Sequence, residues 1–271
     1  MKVFVSDVSR CIGFRMCQIG CKDEHCGNDW TPYAKPQPDI GQFWIKVDEY
    51  VRGSVGVEPK VKVHSYPVMC MHCDDAPCIE GCPVDAIYKR DDGLVVIDPK
   101  LCTGCQLCVH DCPYGVIFYN DTLKIAQKCT GCAHLLDRGW QEPRCVDACY
   151  YKSLLFGEEG DFSSEIAGAE VLEPKFGEAP DVRVYYLNMP KRCIAGTVYD
   201  PDTREVVIEG TVTLSGDGSA TATTDEFGDF WFDGLAQGTF SVAIEADGKS
   251  KTIDDISTME KDVNLGDVAL A

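Results

Sequence analysis

The sequence predicts an α+β chain in two parts, a cysteine-rich N-terminal region of repeated ligand loops and a C-terminal antiparallel β-sandwich. Three observations predict it. Sixteen of the 17 cysteines lie between Cys11 and Cys149, and only Cys193 lies beyond. After Pro190 the texture changes to short alternating segments punctuated by turn residues. Charge divides at the same place: residues 191–271 carry 6 basic and 16 acidic side chains, net −10, against 19 and 28, net −9, in the first 190. The reading is a cysteine domain at 1–150, a linker or wrapping segment at 151–190, and a sandwich at 191–271.

Composition excludes several function classes. The 271 residues are 45% hydrophobic, enough for a packed core and against global disorder. A net charge of −19 argues against nucleic acid and against anionic membrane surfaces, which both reward basic patches. No apolar run approaches the roughly 18 residues that span a bilayer. Met1 to Arg10 has neither the basic and apolar regions of a signal peptide nor a twin-Arg pair. The expected address is the cytoplasm, with export alongside a signal-bearing partner as the alternative. An odd cysteine count with no export signal argues against a disulfide scaffold and for metal.

The cysteines fall into four groups. The first is Cys11, Cys17 and Cys21, with Phe14 where a regular spacing would put another cysteine. The second is Cys70, Cys73, Cys78 and Cys82, followed by Pro83. The third is Cys102, Cys105, Cys108 and Cys112, followed by Pro113. The fourth is Cys129, Cys132, Cys145 and Cys149. Between the second and third, Asp91-Asp92-Gly93 is a turn before Leu94-Val95-Val96-Ile97.

The third group reads C-x2-C-x2-C-x3-C-P without a gap, the bacterial ferredoxin signature. A tight loop brings three thiolates to one cubane and aims backbone N–H groups at its sulfurs. The fourth cysteine meets the neighbouring cubane, and the proline ends the loop without needing a backbone donor. Zinc instead prefers paired C-x2-C hooks across a longer span, so iron is expected.

Because the fourth cysteine crosses over, the groups work in pairs, as two ferredoxin-like 2x(4Fe–4S) modules. Cys70, Cys73 and Cys78 share a 4Fe–4S cluster with Cys112. Cys102, Cys105 and Cys108 share one with Cys82. By elimination, Cys129, Cys132 and Cys145 take Cys21, and Cys11 and Cys17 take Cys149. The last site lacks the ligand at Phe14. It is read as 3Fe–4S, as 4Fe–4S with a non-cysteine ligand such as water or a carboxylate, or as a site to which Cys26 loops back. Cys26 otherwise is a free or packing thiol, and Cys193 is a small buried hydrophobe.

The remaining elements are blander. His25, His64, His72, His110 and His134 lie near cysteines and are read as surface or supporting imidazoles. Trp30, Trp44 and Trp140 are core or interface aromatics. A short helix is expected over Ser164–Leu172 with a serine cap, and a strand over Arg183–Leu187. In the sandwich, roughly seven strands are expected. Val212 and Leu214 share a face, as do Phe230 and Phe232, and Phe240, Val242 and Ile244. Asp247-Gly248 is a hairpin turn, with further turns at Pro201-Asp202 and Gly216-Asp217-Gly218. No phosphate loop, catalytic triad or nucleophile elbow is visible, and no catalytic residue is assigned.

The order of the four groups, the run Lys128-Cys129-Thr130-Gly131-Cys132-Ala133-His134-Leu135, and Glu173-Pro174 with Val184-Tyr185-Tyr186-Leu187 resemble the iron–sulfur subunits of the dimethyl sulfoxide reductase family of molybdopterin oxidoreductases. With the sandwich motifs Phe227-Gly228-Asp229-Phe230-Trp231-Phe232-Asp233 and Glu245-Ala246-Asp247-Gly248-Lys249-Ser250, the whole chain is similar to the small subunits of pyrogallol–phloroglucinol transhydroxylases and related polyphenol hydroxylases and dehydroxylases. The resemblance implies an immunoglobulin-like sandwich of the Cna-B or transthyretin type. It also implies a large catalytic subunit holding a molybdenum or tungsten pterin cofactor that this chain lacks. The first-group site would lie nearest that metal and the third-group site farthest.

The chain departs from the transhydroxylase pattern in two places. Those subunits lack most of the third group, whereas Cys82, Cys102, Cys105 and Cys108 are all present here. A complete relay points to net redox chemistry with an external donor or acceptor, hence reductive dehydroxylation or hydroxylation of aromatic substrates. The second departure is Phe14. Competing readings are a redox-neutral transhydroxylase subunit, a subunit of an oxyanion, sulfur-compound or formate enzyme, and a free polyferredoxin carrier.

Overall fold

The computed structural model describes residues 1–52 and 62–270. They divide into two compact units, Met1–Glu49 with His64–Met189, and Tyr50–Val63 with Pro190–Ala271.

In the first unit, β1 (Lys2–Asp7) leads to α1 (Met16–His25); β2 (Ile45–Arg52), which begins in this unit, and β3 (Lys62–Met69), which ends in it, form a two-stranded sheet. Next come α2 (Pro77–Glu80) with the hairpin β4 (Ile87–Lys89) and β5 (Val95–Ile97). The same order repeats in α3 (Leu107–Asp111) with the hairpin β6 (Phe118–Asn120) and β7 (Ile125–Gln127). Each repeat is one cysteine group: the short helix carries its third cysteine, and Pro83 or Pro113 follows the fourth. The unit continues through α4 (Ala133–Leu136), α5 (Arg144–Asp147), β8 (Leu154–Glu158), α6 (Ser163–Ile166) and β9 (Val184–Leu187).

β1 is the centre of a three-stranded sheet, antiparallel to β8 and parallel to β9. Residues 151–189 thus return two strands to the first strand of the chain and lie in the first unit. The helix expected over Ser164–Leu172 is a single turn, Ser163–Ile166. Phe162 stands at its N-cap without a side-chain bond, and Ser164 Oγ donates to Glu165 at 2.7 Å. Gly168 follows, and Glu170 exchanges two backbone hydrogen bonds of 2.8 Å with Tyr186, so strand pairing takes the chain before a second turn forms. The core holds Phe4, Trp44, Met69, Leu94, Leu154 and Tyr186 and is continuous with most of the cysteines. Tyr186 donates its hydroxyl to the Pro67 carbonyl at 2.7 Å, satisfying a phenol that is otherwise sealed in apolar surroundings.

In the second unit, β10 (Arg192–Tyr199), β13 (Asp229–Leu235) and β16 (Val263–Ala269) form one sheet, ordered β13-β10-β16. β11 (Thr211–Gly216), β12 (Ala220–Thr223), β14 (Thr239–Ala246) and β15 (Lys249–Ser257) form the other, ordered β12-β11-β14-β15. The alternating residues singled out from the sequence, Val212, Leu214, Phe230, Phe232, Phe240, Val242 and Ile244, are all buried in its core. Asp247 and Gly248 join β14 to β15 with φ of 50° and 78°, as a tight hairpin turn requires. Cys193 is buried in β10. Among the described residues, no helix is long and apolar enough to cross a membrane.

Candidate metal centres

The cysteine loops are built by backbone reversals. In the loop from Cys102, Gly104 and Gln106 take φ of 72° and 66°; in the loop from Cys11, Gly13 and Arg15 take 71° and 60°. His72, at 47°, and the pair Gly131 and Cys132, at 61° and 51°, mark the other two. Turns in which left-handed residues alternate with right-handed ones can present successive N–H groups to an anion. Glycine is demanded at 104, where an added Cβ would lie 2.1 Å from the Lys124 carbonyl oxygen.

The loops bring the cysteines together in four sets. Cys70, Cys73, Cys78 and Cys112 line one cavity, with Ala76, Tyr114 and Ile117 in its wall. Cys82, Cys102, Cys105 and Cys108 line a second, with Ala86, Ile97 and Ala126. In each, three thiols come from one loop and the fourth from the end of the other. In the third set, Cys132, Cys21 and Cys129 act electrostatically on Cys145. In the fourth, Cys149 and Cys11 act on Cys17. Influence also crosses between sets: Cys17 acts on Cys145 and Cys70 on Cys129, and the Gly81 backbone faces the Asp111 carboxylate.

Burial first, and then the neighbouring thiols, push these groups up. Cys17 and Cys129 reach about 11, and Cys73 and Cys108 about 12. Cys21, Cys132 and Cys145 are raised by the same causes. Such thiols become thiolates only against a matching positive charge. Backbone N–H groups donate to three of the cysteine sulfurs: Ala86 to Cys82 at 3.3 Å, Ala126 to Cys102 at 3.4 Å and Gly131 to Cys129 at 3.3 Å. Among the described residues, no three of His, Cys, Asp or Glu are arranged to hold a single metal ion. The quartets ring voids instead, and soft donors around a void fit a polynuclear iron–sulfur centre better than one zinc.

Phe14 is 60% exposed, at the loop position that Cys105 occupies in the third group. Cys26 stands apart: its thiol donates to the Asp39 carboxylate at 3.1 Å, and the charges acting on it are those of Asp39 and Lys22. The histidines differ in their surroundings. His25 is buried against Trp44, its Nε2 3.8 Å from Cys132 Sγ, and burial beside His134 holds it down to about 3. His134 stacks on Trp30 and meets Glu24 Oε1 at 3.0 Å. His72 Nδ1 accepts from the Val95 N–H at 3.0 Å. His110 is exposed and His64 half-buried.

One residue carries a role that the cysteine pattern does not signal. Lys128 is fully buried, and its ammonium donates to the Cys129 carbonyl at 3.0 Å, to Cys70 Sγ at 3.4 Å and to the Val95 carbonyl. Burial opposes its charge, but Cys70, Cys78 and Cys129 outweigh that and hold it above the ordinary lysine value. A lone lysine beside a cysteine is the only trace of this in the sequence.

Comparison with known proteins agrees with the geometry. Residues 61–159 match the 4Fe-4S dicluster domain family, and residues 193–271 match the carboxypeptidase regulatory-like domain family. The chain is 37% identical to the pyrogallol hydroxytransferase small subunit of Pelobacter acidigallici, over 98% of both chains. It is 36% identical to a tetrathionate reductase subunit of Salmonella typhimurium, over 68% of this chain and 70% of that one. It is 34% identical to a chain of the anaerobic dimethyl sulfoxide reductase of Escherichia coli, over 57% of this chain and 72% of that one.

Proposed function

The chain belongs to the iron–sulfur subunits of the dimethyl sulfoxide reductase family of molybdopterin oxidoreductases, and on that basis we infer a four-site, one-electron relay between a large molybdopterin-binding subunit and an external donor or acceptor. When bound, 4Fe–4S clusters supply reversible one-electron steps. The residues divide as Cys70, Cys73, Cys78 with Cys112; Cys102, Cys105, Cys108 with Cys82; Cys129, Cys132, Cys145 with Cys21; and Cys11, Cys17 with Cys149. The observation that carries the assignment is the pair of four-thiol cavities, each completed by the last cysteine of the other loop.

This chain's own residues do three things in the relay. The loops preset thiol positions, so little reorganisation accompanies each transfer. Apolar walls such as Ala76 and Ile117 keep water from the buried sulfurs of the Cys70 set. The Ala86, Ala126 and Gly131 N–H groups, which donate to Cys82, Cys102 and Cys129, would stabilise negative charge on bound clusters.

The substrate proposal rests on coverage. The pyrogallol enzyme's subunit is matched over the whole length, sandwich included, whereas the tetrathionate and dimethyl sulfoxide relatives match a part. An aromatic polyphenol is therefore the proposed substrate class, bound by the large subunit. Net redox chemistry, reductive dehydroxylation or hydroxylation, is favoured over redox-neutral transhydroxylation. The complete Cys82, Cys102, Cys105 and Cys108 quartet supports it, because Cys105 alone of the 17 cysteines is exposed and opens that end to a carrier. The proposed compartment is the cytoplasm.

The test is anaerobic purification of the native complex, with iron counted per chain and EPR followed through a reductive titration. About 16 irons, or about 15 with a 3Fe–4S centre at Phe14, with molybdenum or tungsten in a co-purifying large chain, are expected. About 12 irons would refute the four-site relay. If the missing site were the Cys102 one, the transhydroxylase reading would replace it.

A further inference from the structure

We propose that Lys128 is a fixed positive charge shared by the Cys70/Cys73/Cys78/Cys112 and Cys21/Cys129/Cys132/Cys145 sites, raising the reduction potential of both and coupling the middle of the relay. The inference rests on the cluster assignment above. It goes further, because it names the residue that orders the potentials along the chain.

Lys128 is 2% exposed, a rare placement for an ammonium, which keeps its charge only where an opposite charge repays desolvation. Its hydrogen-bond partners are two carbonyls, of Val95 and Cys129, and one ligand sulfur, of Cys70. Carbonyls orient an ammonium without neutralising it. Its contacts belong to two different thiol sets, the Cys70 sulfur in one and the Cys129 carbonyl in the other. Lys128 therefore stands where the two sites adjoin.

Each transfer oxidises one site by one electron and reduces its neighbour by one, and no proton or further reactant is consumed. Reduction adds one negative charge to a site. A nearby cation in a medium of low dielectric stabilises the reduced form, and the effect falls with distance. The two flanking sites are thus raised relative to the Cys11/Cys17/Cys149 and Cys82/Cys102/Cys105/Cys108 ends. Lys128 touches no substrate; it is a positioning residue acting through ligand sulfurs. The plain structural alternative is a tie between β5 and the Cys129 loop. That role needs donors, and a neutral amide supplies them.

The experiment compares Lys128→Gln and Lys128→Arg with the wild-type chain in its complex with the large subunit, by iron count and potentiometric EPR titration. An iron count that contradicts the four sites in the wild type sinks the cluster assignment and not this inference alone. With wild-type iron retained, two midpoint potentials are expected to fall in Lys128→Gln and to stay near wild type in Lys128→Arg, while the other two do not move. Unchanged potentials in Lys128→Gln, equal shifts at all four sites, or equal shifts in both variants would overturn it. If Lys128→Gln loses the iron of the two flanking sites while Lys128→Arg keeps it, charge is again what the sites need. Loss in both variants shows that side-chain shape is what matters and refutes the proposal.

Discussion

The loop from Cys11 to Cys21 and the loop from Cys102 to Cys112 share one backbone and differ in one ligand. Both place positive φ two and four residues after the first cysteine, at Gly13 and Arg15 in one and at Gly104 and Gln106 in the other. Both start a helix one residue before the next shared cysteine, with no side-chain cap. Phe14 and Cys105 are equivalent and both exposed. Glycine sterics therefore hold the loop, and the second thiol does not. An exposed position can change from thiol to phenyl without repacking the core. The loops part only at their ends: Pro113 stops α3 after Cys112, whereas Lys22 follows Cys21 and α1 runs on to His25.

The largest effect should come from attacking the shared backbone. Gly104→Ala forces a Cβ to 2.1 Å from a carbonyl oxygen at positive φ, whereas at Gly13 the nearest atom, at 2.6 Å, is the rotatable Ser65 hydroxyl. Gly104→Ala is expected to cost about 3 kcal/mol and to empty its site, and Gly13→Ala about 1 kcal/mol. Denaturation midpoints with iron counts measure both, and equal losses would mean that the backbone carbonyl facing Gly104 adds nothing to the cost.

Next in size is Cys105→Phe, which makes the second loop a copy of the first. It should remove about one iron per chain, create a 3Fe–4S-type EPR signal and slow exchange with an external carrier by tenfold or more, on the order of 1.4 kcal/mol in the barrier. Turnover with artificial carriers reads the rate. The reverse change, Phe14→Cys, should restore a four-thiol set. Iron is expected to rise to about 16 per chain where the wild type gives about 15, with any oxidised 3Fe signal lost. No gain in iron would show that a non-cysteine ligand already completes the site. Smallest of all is Cys26→Ser. With its thiol turned to Asp39, iron content and every midpoint should stay at wild type. A drop of one iron would make Cys26 the fourth ligand of the Phe14 site.

Much of the fold and of the site is legible in the residue order, for a physical reason. Ligand spacing within a loop is a matter of covalent reach, so C-x2-C-x2-C-x3-C-P describes its own geometry. The sandwich is legible for the parallel reason that strand faces alternate residue by residue; Phe240, Val242 and Ile244 could reach one core only together. The helix expected after Ser164 stops short because its second turn competes with a strand pairing made by Tyr186, distant in sequence. Local propensity carries no term for that.

The order of residues is enough to point to the chemistry: soft sulfur donors in regular spacing, the glycines that let the loops close, and Phe14 where the third group has Cys105. The electrostatics and the neighbourhoods arise only from the packed fold. Packing seals Lys128 between Cys70 and Cys129, turns Cys26 towards Asp39, sets His25 against Cys132, and returns residues 154–187 to β1. Spacing along a polymer constrains only what a few bonds can reach. Burial and charge depend on everything that packs around a group, and that is settled when distant segments meet.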